Sequence, residues 1–169
     1  MRFVRYGARG AETPGVLDAD GNIRDLSGVV PELAGDVLGA LPQVDPESLP
    51  LVESAPRLGV PVAGIGKFIG IGLNYSDHAA ETGMEPPEHP MVFMNATSSI
   101  TGPNDEVRLP RGSRHSDWEV ELGVVIGKHC KYVEEAEALE YVAGYCVVND
   151  VSERRFQSKL SGQWTKGKS

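Results

Sequence analysis

Apolar and polar residues alternate most regularly between Asp117 and Gly127. Val120, Leu122, Val124 and Ile126 fall on one face of an extended chain there, with Glu119, Glu121, Gly123 and Val125 on the other. That period of two predicts a strand, and its apolar row looks too continuous for a solvated surface. Shorter runs predict strands over 2–6, 14–18 and 23–26, the last two joined by a hairpin turn on Asp20-Gly21. Pro31 opens a predicted helix with Leu33, Val37, Leu38 and Leu41 along one stripe, stopped by Pro42. Residues 42–63, rich in Pro, Glu and Ser, read as an extended connection with a domain boundary near residue 60.

Beyond that boundary, 68–73 predicts a buried strand whose glycines let another backbone or a ligand come close. Ser76 or Asp77 caps a short helix through Thr82 that Gly83 ends, and 84–90 is a proline-rich loop. Helix and loop together have the makeup of a mobile lid. Residues 90–94, 107–109 and 145–149 predict strands, and 101–105 a turn. A helix is expected over 134–141, with Ala136 and Leu139 facing inward. Ser152 is expected to cap another, carrying Arg154, Arg155, Phe156 and Gln157.

Composition narrows the classes of function. The net charge of −8 over 169 residues argues against nucleic acid and anionic membranes as partners, since both need basic surface. The two cysteines, Cys130 and Cys146, form neither a disulfide framework nor a zinc spacing. The first residues are too polar for a signal peptide, and no apolar run approaches ~18 residues. A soluble, cytoplasmic protein is expected.

The chemistry lies in the acidic face of the regular strand. Glu119 and Glu121 would project side by side, ~6–7 Å apart along it. Buried like charges at that distance hold a proton, a basic side chain or a metal ion. Taken alone, the pair reads more readily as a solvated edge strand. Asp150, delivered at the end of the 145–149 strand, is a third carboxylate. Three oxygen donors select a hard cation, Mg²⁺ first, with Mn²⁺ or Ca²⁺ as alternatives. His78 and Glu81, at i and i+3, share one helix face. They suit a carboxylate-oriented general base, although their spacing alone favours an ordinary surface pair.

In order and context, the stretches 72–78 (Gly-Leu-Asn-Tyr-Ser-Asp-His), 117–122 (Asp-Trp-Glu-Val-Glu-Leu), 148–152 (Val-Asn-Asp-Val-Ser) and 166–169 (Lys-Gly-Lys-Ser) resemble the fumarylacetoacetate hydrolase family. The resemblance covers about 64–169. It implies a β-rich α+β fold, the family's mixed β-roll, incomplete at its C-terminal side. Residues 61–169 would be the first part of the catalytic domain, behind a small N-terminal α/β domain over 1–60. It also implies Mg²⁺ on Glu119, Glu121 and Asp150, and water activation by His78 and Glu81. Lys168 would face developing negative charge, and Asn74, Tyr75 and Gln157 the substrate. The implied enzyme is a homodimeric hydrolase or lyase that cleaves a C–C or C–N bond in a small oxo or hydroxy acid through a metal-chelated enolate. Decarboxylation or isomerisation by the same site, or a non-catalytic metal-binding domain, are the alternatives. Asn95 stands where family members often carry Lys, and Leu73 where some acylpyruvate hydrolases carry Arg. Both changes remove a cation that would hold a doubly anionic substrate.

Overall fold

The structure, a computed structural model, describes residues 1–83 and 85–168. Met84 of the expected lid loop and Ser169 of the last motif lie outside the described residues. The regular elements are β1 (Arg2–Tyr6), β2 (Thr13–Leu17), β3 (Ile23–Asp25), β4 (Phe68–Gly72), α1 (Ser76–Thr82), β5 (Met91–Asn95), β6 (Ser116–Asp117), β7 (Val120–Ile126), β8 (Val142–Asn149) and β9 (Ser152–Glu153). They fall into two compact units. One comprises Met1–Ile65, Thr101–Val107 and Val120–Val148; the other comprises Gly66–Ile100, Arg108–Glu119 and Asn149–Ser169. Among the described residues no helix is long and apolar enough to cross a membrane.

In the first unit, β1, β2 and β3 form an antiparallel sheet with Arg2 opposite Leu17 and Leu17 opposite Ile23. The expected hairpin closes on Asp18, whose buried carboxylate accepts from the Asn22 N–H (2.8 Å) and the Arg24 Nε–H (2.8 Å). Gly21 takes the positive φ of +86° that this turn needs. Val16, Leu26 and Leu33 are the buried apolar side chains of this unit.

The connection after residue 42 is extended apart from a 3-10 turn at Pro46–Ser48, and it is pinned to the sheet by bridges from Leu51 to Arg24 and from Leu58 to Tyr6. Arg57 on this segment grips both Asp105 oxygens, at 2.7 and 2.6 Å, and reaches Glu12 at 2.9 Å. The two-pronged guanidinium contact, with the Gly102 N–H behind it, pulls the Asp105 carboxyl down to about 2. A carboxyl depressed by folding stabilises above its unfolded value near 4 and loses that contribution as pH falls toward the folded value. Arg57→Met is therefore expected to melt earlier than wild type at pH 7. The gap should close as pH drops to about 2. An equal gap in melting scans at both pH values would show that the pair adds no pH-linked stability.

Several expected elements differ. The helix from Pro31 is only a 3-10 segment, Gly35–Ala40, because Gly35 sits at φ +52° and Gly39 is a poor helix former near the end of the segment. Leu33 is buried outside it. The 134–141 helix is likewise 3-10, Glu135–Tyr141, with Ala136 and Leu139 exposed rather than inward. Its glutamates at Glu134, Glu137 and Glu140 repel at i, i+3 spacing. Residues 107–109 form no strand.

The long strand over 117–127 is really two. β6 ends at Asp117 and pairs with β9, whereas β7 starts at Val120 and pairs with β8. The apolar row of β7 is 49–65 % exposed, so the expectation that it is buried does not hold in this structure. The opposite face of β7 is the covered one, and a side chain at Gly123 would strike Cys146 and Val148.

In the second unit β4 and β5 pair antiparallel, Phe68 opposite Asn95 and Gly72 opposite Met91. The β4 glycines do allow close approach, but of aromatic side chains rather than the expected backbone or ligand: a Cβ on Gly72 would lie 2.6 Å from the Trp164 ring, and one on Gly70 would enter the Phe93 ring. The strand is not buried on both faces, because Ile69 and Ile71 point outward, about half exposed. The short helix forms as α1 and ends on Gly83 at φ +66°. Its N-cap is Tyr75, however, and no side chain among the described residues caps it, so neither Ser76 nor Asp77 has that role.

Candidate active site

Glu119 and Asp150 are set opposite each other by backbone chemistry. Beside the β6–β9 ladder, the Asp150 N–H donates to the Glu119 carbonyl at 2.8 Å, and the Asn149 side chain accepts from the Glu119 N–H at 3.2 Å. Ser152, two residues beyond Asp150, lies in β9, not at a helix N-terminus as expected. Its buried hydroxyl donates to the Asp150 carbonyl at 3.1 Å. A π-helical turn, Arg155–Lys159, replaces the expected helix.

The two carboxylates converge on one ammonium. Lys168 Nζ donates to Glu119 Oε2 and to Asp150 Oδ2, the latter at 2.7 Å, with only 3 % of its side chain exposed. The Phe93 ring lies beneath the same ammonium, its centroid 5.1 Å away, with Trp164 packed edge-on against it at 5.4 Å. Lys168 is positioned by its neighbour. A Cβ on Gly167 would lie 2.6 Å from the Gln157 backbone nitrogen, so only glycine lets the two segments touch. Gly167→Ala is expected to lower stability by about 1–3 kcal/mol, as overpacking does. Denaturant unfolding of the variant checks this, and an unchanged midpoint would refute it.

Arg154, for which the sequence suggests a helical position and no role, is the second cation here. It pairs with Glu119 Oε1 at 2.5 Å, donates to Asp117 Oδ2 at 3.0 and 2.8 Å, and donates to Gln157 Oε1 at 3.1 Å. Burial would push the Glu119 carboxyl up, but hydrogen bonds from Lys168 and Arg154 prevail and hold it below the usual carboxylate range. Burial works against the Arg154 charge too, yet Asp117 and Glu119 raise it. Asn95 reads in the sequence only as a missing cation. It is buried and donates from Nδ2 to Asp150 Oδ1 at 3.1 Å. Strand alternation could have found it, since Phe93 and Asn95 share one face of β5. Arg154 gave a weaker signal, as a basic residue four positions after the Asp150 carboxylate.

The other expected residues are more scattered. Gln157 joins the cluster through Arg154. Glu121, half-buried on β7, belongs to the first unit, whereas Glu119 and Asp150 belong to the second. His78 and Glu81 lie on α1 with exposed side chains, as do Asn74 and Tyr75 at its start. Leu73, just before them, is held at φ +53°, a conformation that L side chains rarely adopt. Among the described residues no three His, Cys, Asp or Glu side chains form a group that could hold a metal. The donors nevertheless suit a hard cation. Glu119 and Asp150 carry oxygen donors that already converge on a positive charge.

A buried cluster of carboxylates and basic groups is a setting in which enzyme sites are commonly built. Residues 67–169 match the family profile described as the fumarylacetoacetate (FAA) hydrolase C-terminal domain, and the chain belongs to this family. The family contains hydrolases, isomerases and decarboxylases. A Burkholderia ambifaria protein carrying the provisional name of hydrolase is 62 % identical over 173 residues, which span 99 % of this chain and 61 % of that protein. The fumarylacetoacetate hydrolase of psychrophilic Exiguobacterium antarcticum matches all of this chain with 62 % of its own, at 31 % identity and a TM-score of 0.83. A 5-carboxymethyl-2-hydroxymuconate delta-isomerase from Mycobacterium smegmatis matches all of it with 61 % of its own, at 29 % identity and 0.72. The chain thus has the β-rich α+β fold of this family and spans about three-fifths of the length of the relatives it matches. Members of the family generally use a divalent metal.

Proposed function

We propose that the protein is a Mg²⁺-dependent hydrolase or lyase that cleaves a C–C or C–N bond in a small oxo or hydroxy acid. The observation that carries this reading is the buried Lys168 ammonium between Glu119 and Asp150, flanked by Arg154. Glu119, Glu121 and Asp150 would hold the divalent cation, Mg²⁺ ahead of Mn²⁺ or Ca²⁺. When bound, it would act as a Lewis acid that draws electron density from the substrate carbonyl.

The chain's own residues supply the rest. Arg154 keeps Glu119 ionised and anchors Gln157, so that Gln157 and the exposed Asn74 and Tyr75 can orient the substrate. His78, oriented by Glu81, takes a proton from water, and the resulting hydroxide attacks the carbonyl carbon. As the bond breaks, the Lys168 ammonium donates to the oxygen on which negative charge develops. In this reading 61–169 is the first part of the catalytic domain and 1–60 a small N-terminal domain, in a cytoplasmic homodimer. Sedimentation of the full-length protein tests the dimer.

The likeness to a delta-isomerase supports a second reading, in which the same residues serve isomerisation or decarboxylation without the water step. One experiment separates the two. Full-length protein is assayed with Mg²⁺ against acylpyruvates, ureidoglycolate and oxaloacetate, with His78→Ala beside wild type. Hydrolysis is expected to fall by roughly 10²–10⁴-fold in the variant, the usual worth of a general base. Undiminished hydrolysis removes His78 from the mechanism. An isomerase or decarboxylase activity untouched by the change, with no hydrolysis in wild type, selects the second reading.

A further inference from the structure

The amide of Asn95 is half satisfied. The residue is only 5 % exposed, and its Nδ2 donates to Asp150 Oδ1 at 3.1 Å. Its Oδ1 is buried and, among the described residues, has no hydrogen-bond partner. Flipping the amide does not help, because it would turn the oxygen toward the Asp150 carboxylate and set acceptor against acceptor. The orientation is therefore fixed by Asp150, and the oxygen is left in want of a donor. Buried acceptors are rarely left so, since water satisfied them before folding.

Phe93, two residues earlier on the same face of β5, lies under the Lys168 ammonium. This face of the strand is thus the one turned toward the Lys168–Asp150 cluster. The ammonium is engaged by Glu119 and Asp150. Arg154 is engaged by Asp117, Glu119 and Gln157.

We propose that Asn95 determines specificity, its Oδ1 accepting a hydrogen bond from an O–H or N–H group of the substrate. This rests on the reading of the cluster as an oxo-acid site and adds a substrate class to it. Where the ligand meets Asn95 it carries a neutral donor, not a carboxylate. A carboxylate there would face an amide oxygen with Asp150 behind it and would be repelled. A site built to accept from a hydroxyl discriminates strongly against an analogue that lacks one, because its own acceptor is then left buried and unpaired.

The test is equilibrium binding to the full-length protein with Mg²⁺ present, using pyruvate, 3-hydroxypyruvate and 2-oxoglutarate. These share one 2-oxo acid head and extend it with hydrogen, a hydroxyl or a carboxylate-bearing arm. Wild type is expected to bind 3-hydroxypyruvate at least ~10-fold tighter than the other two. Asn95→Leu, of similar size, should lose that preference.

Indifference of wild type among the three ligands overturns the proposal while leaving the oxo-acid reading standing. So does a preference that survives in Asn95→Leu, since another group would then read the hydroxyl. If none of the three binds wild type, the oxo-acid reading and this proposal fail together. Should Asn95→Leu not fold, the ranking of the three by wild type decides.

Discussion

Lys168→Met is expected to lose about 3–5 kcal/mol of stability, the usual consequence of removing one member of a buried ion pair. The ammonium is almost fully enclosed and is shared by Glu119 and Asp150. Methionine fills much of the same space but leaves two carboxylates facing each other. At about 2–4 °C per kcal/mol for a chain of this size, the melting point should fall by roughly 6–20 °C.

Two further readouts distinguish this from simple damage. Without the lysine, the facing carboxylates should retain a proton above their ordinary range. A carboxyl raised by folding stabilises below its unfolded value and loses that contribution as pH rises, so the variant should recover relative to wild type toward pH 4. Mg²⁺ should also raise the variant's melting point more than that of wild type, because a divalent cation supplies the missing charge. Activity should fall by roughly 10²–10³-fold, in kcat and kcat/KM together, if the ammonium meets charge that develops only in the transition state. Wild-type melting with no added response to Mg²⁺ would exclude the lysine as the counterion of this site.

Asp150→Asn is expected to weaken Mg²⁺ binding by roughly 10²-fold or more, about 2.7 kcal/mol, while the fold survives. Folding should tolerate the change because an asparagine oxygen can still accept from Lys168, and Glu119 keeps both its cations. Binding suffers more, since a hard cation prefers a charged oxygen to a neutral one. Calorimetric titration of metal-free protein measures the loss, with Glu121→Gln beside it. Comparable losses in both variants support one cation on three carboxylates. A loss in Asp150→Asn alone removes Glu121 from the ligand set. Unchanged affinity in Asp150→Asn removes Asp150 as well.

What the sequence alone determined is mostly local. The Asp20-Gly21 turn, the end of α1 at Gly83, the close-approach glycines of β4 and the delivery of Asp150 at the end of β8 all arise from conformational limits within a few residues. Family membership is legible for a related reason: several short motifs in fixed order are hard to meet by chance.

Burial and partnership are another matter. The alternation of β7 reveals its period of two, but not which face is covered. That depends on its pairing with β8 and on the contact of Gly123 with Cys146 and Val148. The helices expected after Pro31 and Glu134 carry plausible stripes, but glycine at one and repelling glutamates at the other leave each a short 3-10 segment.

The site shows the same division. Glu119, Asp150, Gln157 and Lys168 stand out in the sequence, yet nothing in their spacing places one ammonium between two carboxylates. Nor does it bring Arg154 onto Glu119 or leave the Asn95 side-chain oxygen without a donor among the described residues. Residue type limits which charges are available, whereas the pairing of charges far apart in sequence is set by the strands and turns that bring them together. In this chain Glu119 and Lys168 are 49 positions apart. Only the folded backbone, through the Asp150–Glu119 hydrogen bond and the contact of Gly167 with Gln157, decides that they meet.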